Sequence, residues 1–191
     1  MFKLIQEQIQ EHQNIAQVCL DELQNHIHMA CVLTTDTLAH SNKIILFGNG
    51  GSASDAQHIA TELVVRYKEY RQALPAIALN CDTSVLTAIG NDYSFEEIFS
   101  RQVEALAQKG DLCIAFSTSG NSKNVIKALQ TGKKMGCRTI AFSGKGGGEV
   151  SKYCDLNIII PSNDTARIQE MHIMIAHIVV DAIDSVMRAE G

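Results

Sequence analysis

The sequence has few of the features that mark extended or membrane-bound proteins. It contains only two prolines in 191 residues. No apolar run approaches the ~18 residues that a membrane span requires. Hydrophobic residues make up 46% of the chain, which is enough for a full core. We therefore predict one compact domain over residues 1–191 and no association with a membrane.

Basic clusters, cysteine pairs and a secretion signal are also missing. The net charge is −5 and no Lys/Arg block occurs, which argues against non-specific nucleic-acid binding. The six cysteines include no C-x-x-C pair. Residues 1–20 lack the basic start and apolar run of a signal peptide. We expect a cytoplasmic protein with reduced thiols and no nucleic-acid partner.

The N-terminal segment has a helical pattern. Across residues 2–41, apolar side chains such as Ile5 and Ile9 recur at helical spacing, which predicts one or two helices. We call residues 1–42 the N-terminal helical arm and residues 43–191 the αβα core. A long amphipathic arm must bury its apolar stripe on its own core or on another subunit, and we expect a homo-oligomer.

A glycine-rich turn joins the first predicted strand to a helix. The apolar residues 44–47 lead into Gly48, Gly50 and Gly51, and Ser52 opens a helical segment. Glycines allow a tight turn with uncovered backbone N–H groups, and the helix directs its positive dipole end to the same place. This arrangement favours an anion, most often a phosphate.

Two turns into that helix, His58 and Glu62 stand four residues apart and share one face. A polar pair beside a phosphate-binding loop indicates chemistry on a phosphorylated small molecule.

The sequence predicts another strand–loop–helix unit, with the strand at residues 112–116, the loop at 117–122 and the helix at 122–134. The loop STSGNS places four hydroxyls at a helix N-terminus. One of them can cap the helix, but a cap uses a single hydroxyl. The surplus favours a phosphate that accepts hydrogen bonds from several neutral donors.

Three further strands are predicted at residues 74–80, 137–144 and 155–162. Short apolar strands that alternate with helices indicate an α/β fold with a five-stranded parallel sheet covered on both faces. We predict a doubly wound sheet in flavodoxin-like order. Ligands of such sheets bind at the carboxyl ends of the strands near the topological switch point, where both polar loops would lie.

Residues 90–92, Gly-Asn-Asp, are predicted to form a turn before a helix that reaches about residue 108. The side chains of Asn91 and Asp92 could hold sugar hydroxyls or simply cap the next helix. Spacing alone favours the cap.

The last predicted helix, residues 165–189, carries Gln169, His172 and His177 on a largely apolar background. Eight residues separate Gln169 from His177, about 12 Å of rise and about 80° of rotation in a regular helix. These two residues converge on one atom only by reaching toward each other, by local distortion, or from two subunits. On geometry, His172 is the rival to His177.

Four stretches of the chain resemble a known family. They are FGNGGSASDAQHIATELVVRY, AIGNDYSFEEIFSRQVEAL, AFSTSGNS and RIQEMHIMIAH. Together they are similar to the sugar isomerase (SIS) domain family, and most closely to its phosphoheptose isomerases. The resemblance covers nearly the whole chain, from the N-terminal arm to the last helix, with the motifs in the family's order.

This resemblance implies a set of site residues. The substrate-binding positions that match are Asn49, Gly50, Gly51, Ser52, Glu62, Asn91, Asp92, Ser117, Thr118, Ser119, Ser122 and Gln169. It replaces the capping interpretation of Asn91 and Asp92. It also implies one zinc ion per subunit, and the positions that match its ligands are His58, Glu62, Gln169 and His177. Similar enzymes are homotetramers whose active sites lie between subunits.

The implied reaction is the conversion of sedoheptulose 7-phosphate to D-glycero-D-manno-heptose 7-phosphate through an enediol, the first step of nucleotide-activated heptose synthesis for surface glycans. Aldose–ketose isomerisation needs a base to move a proton between C1 and C2 and an acid at the oxygens. We assign Glu62 as the base and His177 as the acid, with the reverse order left open.

A non-catalytic member of the same family is the main alternative. Such relatives bind the bacterial replication initiator and lack the matching glutamate, the second serine of the STS loop and the final histidine. This chain has Glu62, Ser119 and His177 at those positions. The enzyme is therefore the favoured interpretation.

A dinucleotide-binding dehydrogenase is a further alternative, because Gly48, Gly50 and Ala53 satisfy G-x-G-x-x-A after a strand. That motif alone is weak. A dehydrogenase would also need an acidic residue to hold the ribose, and this chain has none there unless Asp82 serves. The STSGNS loop would then have no purpose.

Overall fold

The computed structural model describes residues 1–189 and contains one five-stranded sheet. All pairings are parallel and the order is β2-β1-β3-β4-β5, which confirms the predicted flavodoxin-like arrangement. The strands are β1 (Ile44–Gly48), β2 (Ala76–Ala78), β3 (Leu112–Ser117), β4 (Arg138–Ser143) and β5 (Leu156–Ile159). Strands β1 and β3 are buried along their whole length, which explains their continuous apolar runs.

Helices cover both faces of the sheet. They are α1 (Phe2–Glu22), α2 (Gln24–Ala39), α3 (Gly51–Val64), α4 (Thr83–Asp92), α5 (Ser100–Leu106), α6 (Lys123–Lys134) and α7 (Thr165–Ala189). One hydrophobic core joins α1, α2, α3 and α7 to one face, and a second joins α4, α5 and α6 to the other. This is the doubly wound architecture predicted from the sequence.

The topological switch point lies between β1 and β3. From β1 the chain crosses through α3 to β2 on one face, whereas from β3 it crosses through α6 to β4 on the opposite face. A crevice therefore opens between the carboxyl ends of the two strands. The strand ends approach so closely that a Cβ on Gly48 would lie 2.8 Å from the carbonyl oxygen of Phe116.

The N-terminal arm consists of two helices with different surroundings. In α1, residues 1–10 are exposed, and Ile15 and Cys19 are the first side chains to enter the core. His12 lies 2.8 Å from the carboxylate of Glu170 and joins α1 to α7. Helix α2 contacts α7 and β5 and is part of the core layer.

Three local features differ from the prediction, and one of them is strand β5, which was predicted at residues 155–162 and is found at Leu156–Ile159. Residues 90–92 form the last turn of α4 and not a separate turn, and the helix expected after them is divided into a 3₁₀ turn at Phe95–Glu97 and the short α5. Strand β2 is shorter than predicted, because Pro75 has no N–H to donate and the N–H of Leu74 bonds to Leu63 instead of to the sheet.

No helix within residues 1–189 is long and apolar enough to cross a membrane. The six cysteines are free thiols. Burial raises the pKa of Cys19 to about 11.

Candidate active site

The GNGGS segment forms a tight turn at the carboxyl end of β1. Gly50 adopts φ +58° and ψ −121° immediately before α3, a conformation that favours glycine. The side chains of Asn49 and Asn124 exchange two hydrogen bonds of 2.9 Å each. Because Asn124 lies in the first turn of α6, this pair joins the start of α6 to the GNGGS loop across the crevice.

The STSGNS segment holds its hydroxyls around the N-terminus of α6. Ser122 is the N-cap residue, yet its side chain makes no capping bond. The Ser117 hydroxyl lies 3.3 Å from that of Ser122, and the Ser119 hydroxyl accepts a hydrogen bond from the N–H of Asn121. Since no hydroxyl of this loop caps α6, the interpretation of the loop as a helix cap is not supported. The hydroxyls stand beside the positive end of the helix.

A third loop, residues 144–148, packs against the STSGNS loop. The N–H of Gly144 donates to the carbonyl of Thr118 at 3.1 Å. A Cβ on Gly120 would lie 2.0 Å from the carbonyl oxygen of Gly147, so the two loops meet backbone to backbone. This close contact leaves no room for a side chain at Gly120 or Gly148.

Three side chains on α3 and α7 converge although the two helices are far apart in the sequence. Ligand atoms of His58, Glu62 and His177 all lie within 4.8 Å of one another. The rings of His58 and His177 meet edge to face with centroids 5.0 Å apart, and His58 Nε2 lies 3.3 Å from Glu62 Oε1. The ring of Tyr67 stacks on His177 at 5.4 Å. No sequence pattern pointed to Tyr67. We call His58, Glu62 and His177 the His/Glu/His cluster.

The donor set of the cluster fits zinc. Two imidazoles and one carboxylate form one of the usual sets of three protein ligands in catalytic zinc sites. Glu62 Oε2 is buried without a hydrogen-bond partner among residues 1–189. An unpartnered buried carboxylate oxygen is costly, and a cation would remove that cost.

Gln169 lies beside the GNGGS loop and not beside the His/Glu/His cluster. Its side-chain amide covers Gly51 at the start of α3, where it occupies the space that a Cβ would need. His177 lies eight residues along α7, about 12 Å away by helical rise. Gln169 is thus beside the GNGGS loop, and its role as a zinc ligand stays a prediction.

Asn91 and Asp92 are exposed at the end of α4 and bond to each other at 2.8 Å. Neither side chain caps the 3₁₀ turn that follows, whose N-cap residue is Ser94. The capping interpretation is therefore wrong, and a contact with the sugar stays a prediction.

Two titratable residues take positions that the sequence did not reveal. Asp55, one turn before His58, has a buried oxygen with no described partner. Burial raises the pKa of Asp55 to about 6, and the nearby His58 opposes the rise. His172 is fully buried and bonds to Ser143, so the rival to His177 does not belong to the cluster. Asp55 lies three residues before His58 on the same face of α3, and this spacing is the one sequence feature that could have placed Asp55 near the cluster.

Comparisons with known proteins identify the family of this chain. The family model for the SIS domain matches residues 8–144. A phosphoheptose isomerase from a Nitratiruptor species is 54% identical over 96% of this chain and 98% of that protein. One from Aliarcobacter butzleri is 52% identical over 95% and 96%, respectively.

Solved structures give the same result. The phosphoheptose isomerase from Neisseria gonorrhoeae has a TM-score of 0.91 at 40% identity, and the one from Francisella tularensis 0.93 at 32%. Each alignment covers 96% of this chain and 98% of the other. The chain therefore belongs to the SIS domain family and, within it, to the phosphoheptose isomerases.

Proposed function

We propose that the protein interconverts sedoheptulose 7-phosphate and D-glycero-D-manno-heptose 7-phosphate, in the synthesis of nucleotide-activated heptose for surface glycans. One observation carries this proposal: a crevice lined by helix N-termini and hydroxyls lies at the start of α3, and the His/Glu/His cluster lies two turns further along the same helix.

The length of the substrate agrees with this separation. From Gly51 to His58 the helix rises by about 10 Å. An extended seven-carbon chain with its phosphate ester, built from single bonds of about 1.5 Å, also spans on the order of 10 Å. A phosphate held at the crevice therefore places C1 and C2 at the cluster, whereas a three-carbon sugar phosphate would not reach it.

The phosphate is bound by neutral donors. The hydroxyls of Ser117, Thr118, Ser119 and Ser122 surround the N-terminus of α6, and α3 starts on the opposite side of the crevice. Helix N-termini and hydroxyls together stabilise a phosphate dianion without a cationic side chain. Residues 49–52 and Gln169 then contact the adjoining part of the substrate, and we assign its remaining hydroxyls to Asn91 and Asp92.

Glu62 and His177 transfer the protons. Starting from the ketose, Glu62 removes a proton from C1 and returns it to C2, while His177 gives a proton to the C2 oxygen and then takes the proton from O1. The C1–C2 enediol is the shared intermediate, and the products balance because one proton moves between carbons and one between oxygens. The reverse assignment of the two residues uses the same geometry.

Zinc would be held by His58, Glu62 and His177, with one ion per subunit. We propose Gln169 as the fourth ligand, reaching the ion from a neighbouring subunit, because within one chain its amide covers Gly51. When bound, the ion supplies a Lewis acid that polarises the carbonyl.

We also propose a cytoplasmic homotetramer with active sites between subunits. The first turns of α1 expose four large apolar side chains: Phe2 (86%), Leu4 (55%), Ile5 (47%) and Ile9 (54%). The His58 side chain in the cluster is 49% exposed. Apolar helical surface of this kind is typical of subunit contacts, and free thiols are typical of a reducing compartment.

The two alternatives have less support. The initiator-binding relatives lack the residues that match Glu62, Ser119 and His177, which this chain has. For a dehydrogenase, the candidate ribose acid is Asp82, but its carboxylate caps α4 by accepting the N–H of Val85 at 2.9 Å.

Conversion of sedoheptulose 7-phosphate by the purified protein, with and without added zinc, tests the proposal. The native protein and the His26→Ala variant, which changes an exposed histidine of α2, should form the aldose. The His177→Ala variant should not. A folded, zinc-supplied native protein that forms no aldose would contradict the proposal.

A further inference from the structure

His172 is completely buried between α7 and the sheet. Its ring centroid lies 6.1 Å from that of Phe116 and 5.8 Å from that of Phe142. Its Nε2 atom lies 3.1 Å from the carbonyl oxygen of Ser143. Because a carbonyl oxygen can only accept, Nε2 carries the proton and donates it. The other ring nitrogen, Nδ1, has no hydrogen-bond partner among residues 1–189.

This placement is costly for an imidazole. Burial lowers the pKa of His172 to about 4, so the ring is neutral at neutral pH. A buried acceptor without a partner also costs free energy, and an apolar side chain of similar size would avoid that cost. What a hydrocarbon cannot supply is the N–H that bonds to Ser143.

The acceptor of that bond belongs to a peptide unit with a second role. The carbonyl of Ser143 and the N–H of Gly144 are the two ends of one planar peptide. The carbonyl accepts from His172 and from the N–H of Ile160 at 2.8 Å, while the N–H donates to the carbonyl of Thr118 at 3.1 Å. Bonds at both ends of one peptide polarise each other, so each strengthens the other.

Thr118 is the second residue of the STSGNS loop, which we call the hydroxyl loop. Phe116, whose ring contacts His172, is two residues before it, and the 144–148 loop supports the residues just after it. His172 is therefore linked to the hydroxyl loop in two ways: its ring packs against Phe116, just before the loop, and its N–H bonds to the 143–144 peptide, which bonds to Thr118. Since its side chain is fully buried, it does not touch the substrate itself.

We propose that His172 is a positioning residue for the substrate phosphate: its N–H orients the 143–144 peptide, which holds Thr118 and the hydroxyls around it. The inference rests on the proposed function, because it assigns the hydroxyl loop to the phosphate of the sugar.

Three substitutions separate this role from simple packing. His172→Met fills the site without a donor, His172→Gln places an amide N–H near the position of Nε2, and His172→Asn places its amide near the position of Nδ1. Loss of one hydrogen bond should raise the KM for sedoheptulose 7-phosphate about tenfold in the Met and Asn variants. Their kcat should stay within about twofold of the native value, and the Gln variant should retain a KM close to the native one.

Titration with inorganic phosphate, followed by calorimetry, gives a second measurement that needs no turnover. The Kd for phosphate should weaken in the Met and Asn variants in proportion to KM and recover in the Gln variant. If the native protein binds phosphate but does not isomerise the sugar, the proposed function fails while this titration still tests the role of His172.

A native KM and a native phosphate Kd in a folded Met variant would overturn the inference. So would a loss of kcat with both of those constants unchanged. If the Met variant does not fold, the Gln and Asn variants decide, and equal phosphate affinity in the two would overturn it.

Discussion

The two ends of the site are built differently. At the crevice, the loops are tied together by the Asn49–Asn124 pair and by the backbone contacts between residues 117–122 and 144–148. At the His/Glu/His cluster, the His58 side chain is 49% exposed and Glu62 has an unpartnered buried oxygen. The loops of the crevice are held in place by contacts within the chain, whereas the cluster has a half-exposed side chain and a carboxylate oxygen without a described partner.

This difference indicates a division of tasks. A phosphate needs a rigid set of donors, because ordering a loop on binding would reduce affinity. Groups that accept and release protons, or that hold a metal ion, must keep free lone pairs in the absence of ligand. This division can be tested by substituting residues at one end at a time and measuring whether kcat or KM changes.

The largest effect is expected at the cluster. His177→Ala should lower kcat by roughly 10²–10⁴-fold, the range for removal of a general acid or base. KM should stay within about threefold, because the phosphate contacts are at the other end. Steady-state kinetics beside His26→Ala measure this, and a raised KM at unchanged kcat would show that the division of tasks is wrong.

The buried His172 predicts a pH dependence of stability. Its pKa is about 4 in the folded protein, against an ordinary value of 6.5, so the unfolded chain binds the additional proton between these values. The free energy of unfolding should therefore rise by about 3 kcal/mol from pH 4 to pH 6.5 because of this residue.

Urea unfolding across that pH range should show this rise in the native protein and a smaller slope in His172→Gln. Asp55, with its raised pKa, contributes a slope of opposite sign in both proteins, and the comparison of the two cancels it. Identical slopes would show that His172 is not buried as the neutral form.

Zinc binding should depend on the ligand side chains and not on the hydroxyls of the crevice. Removing a residue that only hydrogen-bonds to a zinc ligand lowers zinc affinity roughly 10–100-fold. His58→Ala removes a ligand itself, so it should lower zinc affinity by at least that much. Metal analysis after dialysis at a fixed free zinc concentration measures this, and Ser119→Ala serves as the control from the crevice. Equal zinc content in the two variants would rule out His58 as a ligand.

A smaller effect is expected at the crevice. Ser119→Ala removes one hydroxyl from the phosphate site and should raise KM about tenfold. Its kcat should change little. An unchanged KM would mean that the Ser119 hydroxyl makes no contact with the phosphate.

Local patterns predicted the parts of the fold that depend on local chemistry. The strand, loop and helix at residues 44–64 and at residues 112–134 were predicted because strong apolar strands meet glycine or hydroxyl clusters there. The turn at Gly90 was wrong because glycine costs only about 1 kcal/mol inside a helix. Burial of Ile89 in the second core offsets that cost.

Long-range convergence could not be predicted from such patterns. His58 and His177 meet because α3 packs beside α7, and local sequence does not encode that contact. Their pairing was expected from the family resemblance alone. The burial of His172 was also hidden, since its spacing from Gln169 equally suited a position in the cluster.

Calorimetric binding of sedoheptulose 7-phosphate to the Glu62→Gln variant, alongside its turnover, tests the division of tasks most directly. The Glu62→Gln substitution leaves the crevice intact, so we expect a Kd within a few-fold of the native KM and no measurable turnover. The Glu104→Gln variant, altered at an exposed glutamate of α5, should bind and turn over normally. Retained turnover in Glu62→Gln, or a loss of binding as large as the loss of turnover, would contradict the account.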